Sequence, residues 1–392
     1  MKDVIVIGTG PAALMCCLEL DKNLDVLILE KNYNIGKKLL LTGGGRCNIT
    51  NNISNSEFLD NISHNKKYLY STINKFGPSE VINLLSDVGL KEEEDNKMFP
   101  ISDRSNDIVN FFRRNISFPI NFNEEVLSVK TGDSYVEVTT TKDVYKCKNV
   151  VFAVGGTSFK NTGSTGDVLK FAKDLDVNVV PFYPAESSII LNRVDDLAGT
   201  SFENVEVKAS KHVSSGNMIF THKGLSGNAI MNISEYIHLE KIKRIYVDFL
   251  PFISEALLID ELKLKRDYKI VSYLSEFFSK KFIYYLLEKV NVDKDSLIKQ
   301  IDHKKFDLLI SYLKNYEFLV NRVSPIDLAY VCGGGISLKE MDTSKFCLKK
   351  NSNIYFIGEC IDVHGPIGGY NITLAMSMGY SCSVDINKKL SC

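Results

Sequence analysis

The hydrophobic pattern at the start of the chain predicts a strand, a tight turn, a helix and a second strand. Residues 4–7 form a β-branched run that is typical of a parallel strand buried on both faces. The glycine-containing segment 8–13 follows at once and opens an apolar stretch that continues to Leu20. A second apolar run, 26–29, ends at Glu30. This order of elements is typical of a βαβ unit that binds a dinucleotide.

The residue types in this unit suit a dinucleotide. Gly8 allows the tight turn, Gly10 lets the backbone approach a pyrophosphate, and Ala13 keeps helix and strand close where a third glycine is usual. The helix N-terminus offers free N–H groups and a positive dipole end to the phosphates. Glu30 is placed to accept hydrogen bonds from ribose hydroxyls. A purely structural glycine turn is the alternative interpretation, but it does not explain Glu30.

A second glycine-rich segment favours FAD over NAD. Three consecutive glycines at 43–45 are followed by Arg46, Cys47 and Asn48. Glycines permit backbone conformations and close contacts that side chains would forbid. In flavoproteins of the glutathione-reductase type, the stretch after the ribose acid passes under the flavin ring, and this segment looks like that stretch. No second strand–GxGxxG–helix pattern occurs in the sequence, so NAD(P)H, if it reduces the flavin, has no dedicated domain and would have to enter the flavin pocket transiently.

The middle of the chain predicts a hairpin, a small β domain and then a helical region. Segments 126–129 and 135–141 alternate like a hairpin, and a buried strand over 150–154 ends in Gly155 and Gly156. Short strand-like pieces recur between 180 and 255, and 256–316 has helical spacing. Interleaved aromatic residues and lysines in this helical region could suggest nucleic-acid binding. At helical spacing we interpret them as core and solvated face.

The end of the chain returns to glycine-rich segments. Residues 353–357 predict a strand closed by Gly358 and Glu359, a pair that meets the ribityl chain and pyrophosphate in many FAD enzymes. Residues 365–371 then open a final helix predicted over 372–386, with small residues that permit close packing. A positive helix end at this point would stabilise the negative charge of reduced flavin.

The sequence resembles a known family, the BaiN-like or YhiN-like flavoproteins, which are described as NAD(P)/FAD-dependent or aminoacetone-oxidase-type enzymes. The matching segments run the length of the chain: GTGPAALM at 8–15, GKKLLLTGGGRCNITN at 36–51, MFPISDRSNDIVNFF at 98–112, VVFAVGGTSFKNTGSTGD at 150–167, FTHKGLSGNA at 220–229, GGGISLKEMDTSKF at 333–346 and YFIGECIDVHGPIGGYN at 355–371. Val154, Asn228 and His364 depart from the family pattern, and His364 stands in the loop before the last helix.

The resemblance implies an α/β fold: a glutathione-reductase-like, FAD-binding Rossmann domain with an inserted small β-barrel-like domain and a helical insert. We expect the FAD-binding domain to comprise 1–180 and 336–392, the inserted β domain 181–255 and 317–335, and the helical insert 256–316. The implied activity is hydride transfer at flavin N5, with NAD(P)H driving reduction of an activated, enone-like C=C bond of an organic substrate. The alternatives are a flavin oxidase of a small amine that uses oxygen, and a flavoprotein with structural FAD and a partner-binding insert.

The motifs and the resemblance together predict a set of cofactor-binding residues and no metal ligands. The predicted FAD-binding residues are Gly8, Gly10, Pro11, Ala12, Ala13, Glu30, Lys31, Lys38, Gly44, Gly45, Arg46, Cys47, Asn48, Val126, Ala153, Gly155, Gly156, Gly358, Glu359, Gly368, Gly369, Tyr370, Asn371 and Ile372.

Candidate catalytic groups lie near the last helix. Tyr370 and His364 could each donate a proton to a carbon that receives hydride. Cys47 has no cysteine partner a few residues away, so a dithiol relay is disfavoured and a buried packing role is preferred. Arg46 could hold the flavin or a substrate anion, or it could form a structural salt bridge.

Composition narrows the class of protein. With 392 residues and a net charge of -1, the chain has no electrostatic footprint of a nucleic-acid binder, and we expect a small-molecule substrate and no nucleic acid. Nine cysteines without a CxxC pair or zinc spacing favour a reducing compartment. The N-terminal apolar run is broken by glycines and proline and is short for a membrane span, which indicates a cytoplasmic protein. The oligomeric state is left open.

Overall fold

The chain folds into two compact units. The computed structural model describes residues 1–62, 64–193 and 196–391. Met1–Tyr183 and Tyr330–Cys392 form the first unit, and Pro184–Ala329 forms the second. N-terminal and C-terminal segments therefore build one unit together, because their strands share one sheet.

The centre of the first unit is a nine-stranded sheet. Lys2–Ile7 pairs in parallel with Val26–Glu30 on one side and with Val144–Phe152 on the other. These strands are β-branched and buried, as expected when a parallel sheet is covered on both faces. The strand order across the sheet is Met341–Asp342, Cys347–Leu348, Ile354–Phe356, Val144–Phe152, Lys2–Ile7, Val26–Glu30 and Ile120–Phe122, with Val126–Thr131 and Val136–Thr140 continuing from Val144–Phe152 as the predicted hairpin.

Helices cover this sheet and bring the two chain ends into contact. Pro11–Glu19 packs against Tyr370–Leu390, which extends the helix predicted over 372–386 at both ends. The contact is so close that a Cβ added at Gly379 would lie 2.3 Å from the Ala12 carbonyl oxygen. The other α-helices of this unit are Asn55–Asp60, Tyr70–Lys75, Pro78–Leu84, Ser105–Asn115 and Val168–Asp174, and a separate small sheet contains Thr50–Asn51, Lys97–Pro100 and Leu90–Glu93.

The second unit is a closed antiparallel barrel with helices. Its strands follow the order Ile189–Leu191, Gly224–Ser226, His212–Phe220, Ser201–Ala209, Arg244–Asp248 and Tyr316–Val323 around the barrel. Its α-helices are Asn228–Leu239, Glu255–Leu264, Ile270–Leu274, Lys280–Lys289 and His303–Lys314. The predicted fold class, a Rossmann-type α/β domain with an inserted barrel and helices, is confirmed.

The observed units divide the chain differently from the predicted domains in two places. Barrel and helices of the insertion share one hydrophobic core, in which Phe202 of the barrel packs edge-on to Phe282 of a helix. Val331–Ile336, predicted to belong largely to the inserted β domain, lies in the first unit. It does so because Ile336 is buried in the first unit's core and bridges Ile361. Val179–Glu186 carries the chain from the first unit into the second.

No helix among the described residues has the length and apolar character of a membrane span. Within the same residues, no group of three or more His, Cys, Asp or Glu side chains is arranged to hold a metal ion.

Candidate cofactor-binding site

A cavity of about 630 Å³ lies in the first unit at the carboxyl ends of the parallel strands. Its wall includes residues at the carboxyl ends of four strands or directly after them: Ile7, Glu30, Ala153 and Ile357. In open α/β sheets this is the edge at which ligands bind. Its volume falls within the range of small-molecule and cofactor sites.

The first glycine turn forms one wall of the cavity. Gly8 has φ +100°, and a Cβ there would lie 2.5 Å from the Ala153 carbonyl oxygen, so only glycine fits between the strands. Gly10 caps the helix Pro11–Glu19 without a side-chain cap, and a Cβ at Gly10 would meet no atom within 4 Å. The backbone and the helix N-terminus therefore face open space, which is the arrangement that binds phosphate groups.

Glu30 is held at the edge of the cavity by three hydrogen bonds. Its carboxylate accepts one from the Thr9 hydroxyl, one from the Asn32 backbone N–H at 2.7 Å and one from the Asn32 side-chain amide at 2.8 Å. The side chain is only 5% exposed, so its orientation is fixed by these neighbours. A fixed carboxylate at the end of the second strand suits ribose hydroxyls, which donate hydrogen bonds.

Two ion pairs tie separate segments of the wall together. Lys31 Nζ lies 2.6 Å from Asp167 Oδ2, and Lys38 Nζ lies 2.6 Å from Glu359 Oε2. Lys38 Nζ also donates to the Ser158 hydroxyl at 2.7 Å. The Lys38–Glu359 pair joins the segment that follows Glu30 to the loop that follows the strand Ile354–Phe356.

A second glycine turn and the last helix enclose the other end of the cavity. Gly43 and Gly44 have φ values of +56° and +67°, and a Cβ at Gly44 would meet no atom within 4 Å. Gly369, with φ +98°, caps the helix Tyr370–Leu390. Asn371 braces the preceding loop, because its amide donates to the Gly365 carbonyl at 2.8 Å and accepts from the Gly365 N–H at 2.9 Å.

The structure brings most of the predicted cofactor residues into this one cavity. The predicted residues that line it are Gly8, Gly10, Pro11, Ala12, Glu30, Lys31, Lys38, Gly44, Asn48, Val126, Ala153, Gly155, Gly358, Glu359, Gly368, Gly369, Asn371 and Ile372. The predicted residues that lie outside its lining are Ala13, Gly45, Arg46, Cys47, Gly156, Tyr370 and His364.

Arg46 and Cys47 have structural neighbours instead. The Arg46 guanidinium pairs with Glu93 and with Asp103 at 2.7 Å, and it lies 4.3 Å from the centre of the Phe99 ring. Arg46 therefore forms a structural salt bridge, the alternative to holding the flavin or a substrate anion. The Cys47 thiol is fully buried in a hydrophobic cluster, and burial raises its pKa to about 11.

Tyr370 and His364 also lie outside the lining of the cavity and pack against other rings. The Tyr370 ring stacks on Phe58 with a centroid distance of 5.0 Å, and burial raises the pKa of its hydroxyl. His364, 2% exposed, stacks on His64 at 4.8 Å. His64 Nε2 lies 2.9 Å from an Asp362 carboxylate oxygen. Burial alone would raise the pKa of Asp362, but the hydrogen bond and charge of His64 outweigh it and hold that pKa below its usual range.

Sequence reasoning missed several residues of the lining. Thr9 and Gly43 stood inside recognised motifs, and Ser164 and Asp167 stood in a segment that signalled only a helix start. Phe99, Phe159 and Ile367 also stood inside segments that match the family but were not singled out. Glu124 and Tyr330 carried no local signal, because they reach the cavity only through the fold.

A Rossmann sheet with a glycine turn, a fixed acid at the end of the second strand and a cavity at the strand ends defines a dinucleotide-binding protein of the flavoprotein type. A family model described as "HI0933-like protein Rossmann domain" matches residues 2–385. The chain therefore belongs to the HI0933-like family, and the resemblance to the BaiN-like and YhiN-like flavoproteins is confirmed. These are FAD-dependent oxidoreductases.

Similar proteins of known name agree with this class. The chain is 27% identical to the ribosomal RNA dihydrouridine synthases of Haemophilus influenzae and Escherichia coli, with 98% of each chain covered in both comparisons. It is 24% identical to the 3-dehydro-bile acid delta(4,6)-reductase of Clostridium scindens, over 97% of this chain and 98% of that relative. Among solved structures, the 3-ketosteroid delta1-dehydrogenase of Sterolibacterium denitrificans has the same overall fold, with a TM-score of 0.52 at 12% identity over 99% of both chains.

The residues of the cavity fit FAD. The helix N-terminus at Gly10 suits the pyrophosphate, and Glu30 suits the adenosine ribose. The amide oxygen of Asn48 at the opposite end is buried and accepts no hydrogen bond within the described part of the chain. Because Asn48 lines the cavity, a ligand bound there can supply the missing donor.

Proposed function

We propose that this protein is an FAD-dependent reductase that saturates a carbon–carbon double bond conjugated to a carbonyl group. The observation that carries the proposal is the reactive end of the cavity, where the N-terminus of Tyr370–Leu390 meets the Gly43–Gly44 turn. A positive helix end stabilises negative charge nearby, so flavin bound here would be more easily reduced by a donor such as NAD(P)H. A flavin that is readily reduced and then passes its electron pair to a substrate suits a reductase.

The names of the relatives support this bond type. Dihydrouridine is uridine whose ring C5=C6 bond has been saturated, and that bond is conjugated to a ring carbonyl. A delta(4,6)-reductase also acts on ring double bonds. Such bonds are polarised by the carbonyl group, so hydride adds to the carbon farther from the carbonyl and a proton adds to the nearer one.

Each wall of the cavity has a role in this reaction. Bound FAD supplies the electron pair, as hydride from ring nitrogen N5. Glu30 accepts hydrogen bonds from the adenosine ribose, and the N–H groups after Gly10 bind the pyrophosphate. The Lys38–Glu359 pair fixes the middle of the wall. The helix N-terminus at Gly369 would lie beside bound flavin and would stabilise negative charge there.

Among substrates with this bond, we favour a uridine of ribosomal RNA. Two of the named relatives act on ribosomal RNA by name, and both align over nearly their full length. The sequence-based expectation of no nucleic-acid partner rests on net charge alone, and a net charge of -1 leaves room for a local binding surface. A free enone of the steroid type is the second candidate, supported by the bile acid reductase.

NAD(P)H is the proposed electron donor. Because the sequence contains one dinucleotide motif, NAD(P)H would approach the flavin in the space that the substrate later occupies. Donor and substrate would then bind alternately, and each would inhibit the binding of the other.

The test is an anaerobic titration followed by product analysis. NADH or NADPH should bleach the visible flavin band of the purified protein. The reduced protein is then mixed either with transcribed ribosomal RNA or with a 3-oxo-4,6-diene steroid, and dihydrouridine or saturated steroid is measured by mass spectrometry. Flavin reoxidation with product in the RNA arm supports the favoured substrate, and product only in the steroid arm supports the second.

Reduced flavin that neither substrate reoxidises would overturn the proposed reductase. Hydrogen peroxide formed from an amine would instead indicate the oxidase. The variant Gly10→Val, which we expect to lack FAD, is the control for turnover that does not depend on the flavin.

A further inference from the structure

The side-chain oxygen of Asn48 is a buried acceptor that receives no hydrogen bond from the described residues. Asn48 is 8% exposed and lines the cavity. Its Oδ1 accepts no hydrogen bond in the portion of the chain that the structure describes. An unsatisfied buried acceptor is costly, and because Asn48 lines the cavity, a ligand bound there can supply the missing donor.

Two glycine turns lie close to Asn48 and leave space around it. A Cβ at Gly369 would lie 3.1 Å from Asn48 Oδ1, and one at Gly368 would lie 3.9 Å from Asn48 Nδ2. On the other side, a Cβ at Gly43 would lie 3.0 Å from the Asn48 backbone nitrogen. Three positions without side chains thus leave room around one amide, and all three have positive φ.

The orientation of FAD along the cavity identifies the part of FAD that reaches Asn48. Glu30 and the helix that begins at Pro11 bind the ribose and pyrophosphate at one end. The turns at Gly43 and Gly369 form the other end, which is left for the isoalloxazine ring. The outer edge of that ring has an N–H donor flanked by carbonyl acceptors, and a side-chain amide offers one acceptor and two donors.

We propose that the Asn48 amide binds the pyrimidine edge of the flavin and sets its redox potential. Oδ1 accepts from the ring N3–H, and Nδ2 donates to a neighbouring ring carbonyl. Reduction increases the electron density on this carbonyl, so the donated hydrogen bond strengthens in reduced flavin. The inference rests on FAD binding and deepens the proposed function, because it names a residue that makes the flavin easier to reduce.

The experiment uses the full-length protein and two variants, Asn48→Ala and Asn48→Asp. Asn48→Ala should weaken FAD affinity about tenfold, which corresponds to about 1.4 kcal/mol. Asn48→Asp keeps the size of the side chain but places a carboxylate beside reduced flavin, so it should lower the midpoint potential. A tenfold loss of preference for reduced over oxidised flavin corresponds to about 30 mV for a two-electron couple.

Asn51→Ala is the matched control. Asn51 belongs to the same motif, is 4% exposed, has an Oδ1 without a hydrogen bond in the described chain, and lies outside the cavity lining. FAD affinity and midpoint potential should be unchanged in this variant, even if its stability falls.

Two results would overturn the inference. One is wild-type FAD affinity and potential in both Asn48 variants, and the other is an equal effect of Asn51→Ala. The measurements need no substrate. A wild-type protein that binds FAD but reduces neither proposed substrate would therefore contradict the proposed function and leave this inference standing.

Discussion

Replacing Gly10 with valine should remove the cofactor while leaving the fold intact. Gly10 has φ −73° and ψ 176°, an extended conformation that any residue adopts. A Cβ there would meet no protein atom within 4 Å, so the new side chain projects into the space that the pyrophosphate needs. The cost to the protein alone is about 1 kcal/mol, because valine is a poorer helix cap than glycine.

The expected loss of FAD affinity is much larger. A hydrogen bond to a charged group contributes about 1.5–3 kcal/mol. Loss of two N–H contacts to the pyrophosphate then costs about 3–6 kcal/mol, or on the order of 10² to 10⁴ in Kd. Flavin content per protein and thermal unfolding with and without added FAD measure the two effects separately, since bound ligand raises the unfolding temperature.

Gly8→Val is the contrasting variant. At φ +100°, with a Cβ position 2.5 Å from the Ala153 carbonyl oxygen, valine at Gly8 should destabilise the fold itself. A Gly10→Val protein that binds FAD as tightly as the wild type would refute the assignment of the pyrophosphate site. So would a Gly10→Val protein that loses stability as severely as Gly8→Val.

Three further predictions concern Glu186, the Lys38–Glu359 pair and Tyr370. Burial, with a contribution from the charge of Glu235, raises the pKa of Glu186 to about 8 in the folded protein. In the unfolded chain the same carboxyl group has a pKa near 4.5. The free energy of unfolding should therefore fall by about 1.4 kcal/mol for each unit by which the pH rises between these two values. Glu186→Gln should abolish that slope in urea unfolding measured at several pH values, and an unchanged slope would assign it elsewhere. Lys38→Met and Glu359→Gln should show a coupling energy of about 1 kcal/mol in a double-mutant cycle of stability, since both side chains are partly exposed; additive effects would mean that the pair does not stabilise the wall. Tyr370→Phe should leave the rate of flavin reoxidation by substrate unchanged in stopped-flow measurements, because the ring packs on a phenylalanine outside the cavity, and a large loss of rate would restore Tyr370 as the proton donor.

The sequence predicted the βαβ unit well because its signals are local. The strand over residues 4–7, the turn at Gly8 and the acid at Glu30 lie close together in the chain, and each has one physical reason for its residue type. Asn371 is different: its cavity position was predicted, but its bracing of the loop through Gly365 was not. That contact depends on how the loop folds back, and no spacing rule reports it.

The candidate catalytic residues show where local reasoning fails. Tyr370 and Asn371 are neighbours in the chain, yet only Asn371 lines the cavity. Successive residues of an α-helix point about 100° apart, so the direction of the helix axis decides which of the two faces the cofactor. Composition and motif cannot supply that direction.

By itself, the sequence determined the class of the first unit, its cofactor and the chemical type of each glycine turn. The tertiary structure decided which turns meet, because Gly43 and Gly369 lie more than 300 residues apart and approach each other only when both chain ends pack on one sheet. It also decided that Arg46 pairs with carboxylates and that Asn48 lines the cavity with an amide oxygen that accepts no hydrogen bond from the described residues. Backbone conformation is encoded over a few residues, whereas hydrogen-bond partners depend on contacts between distant segments.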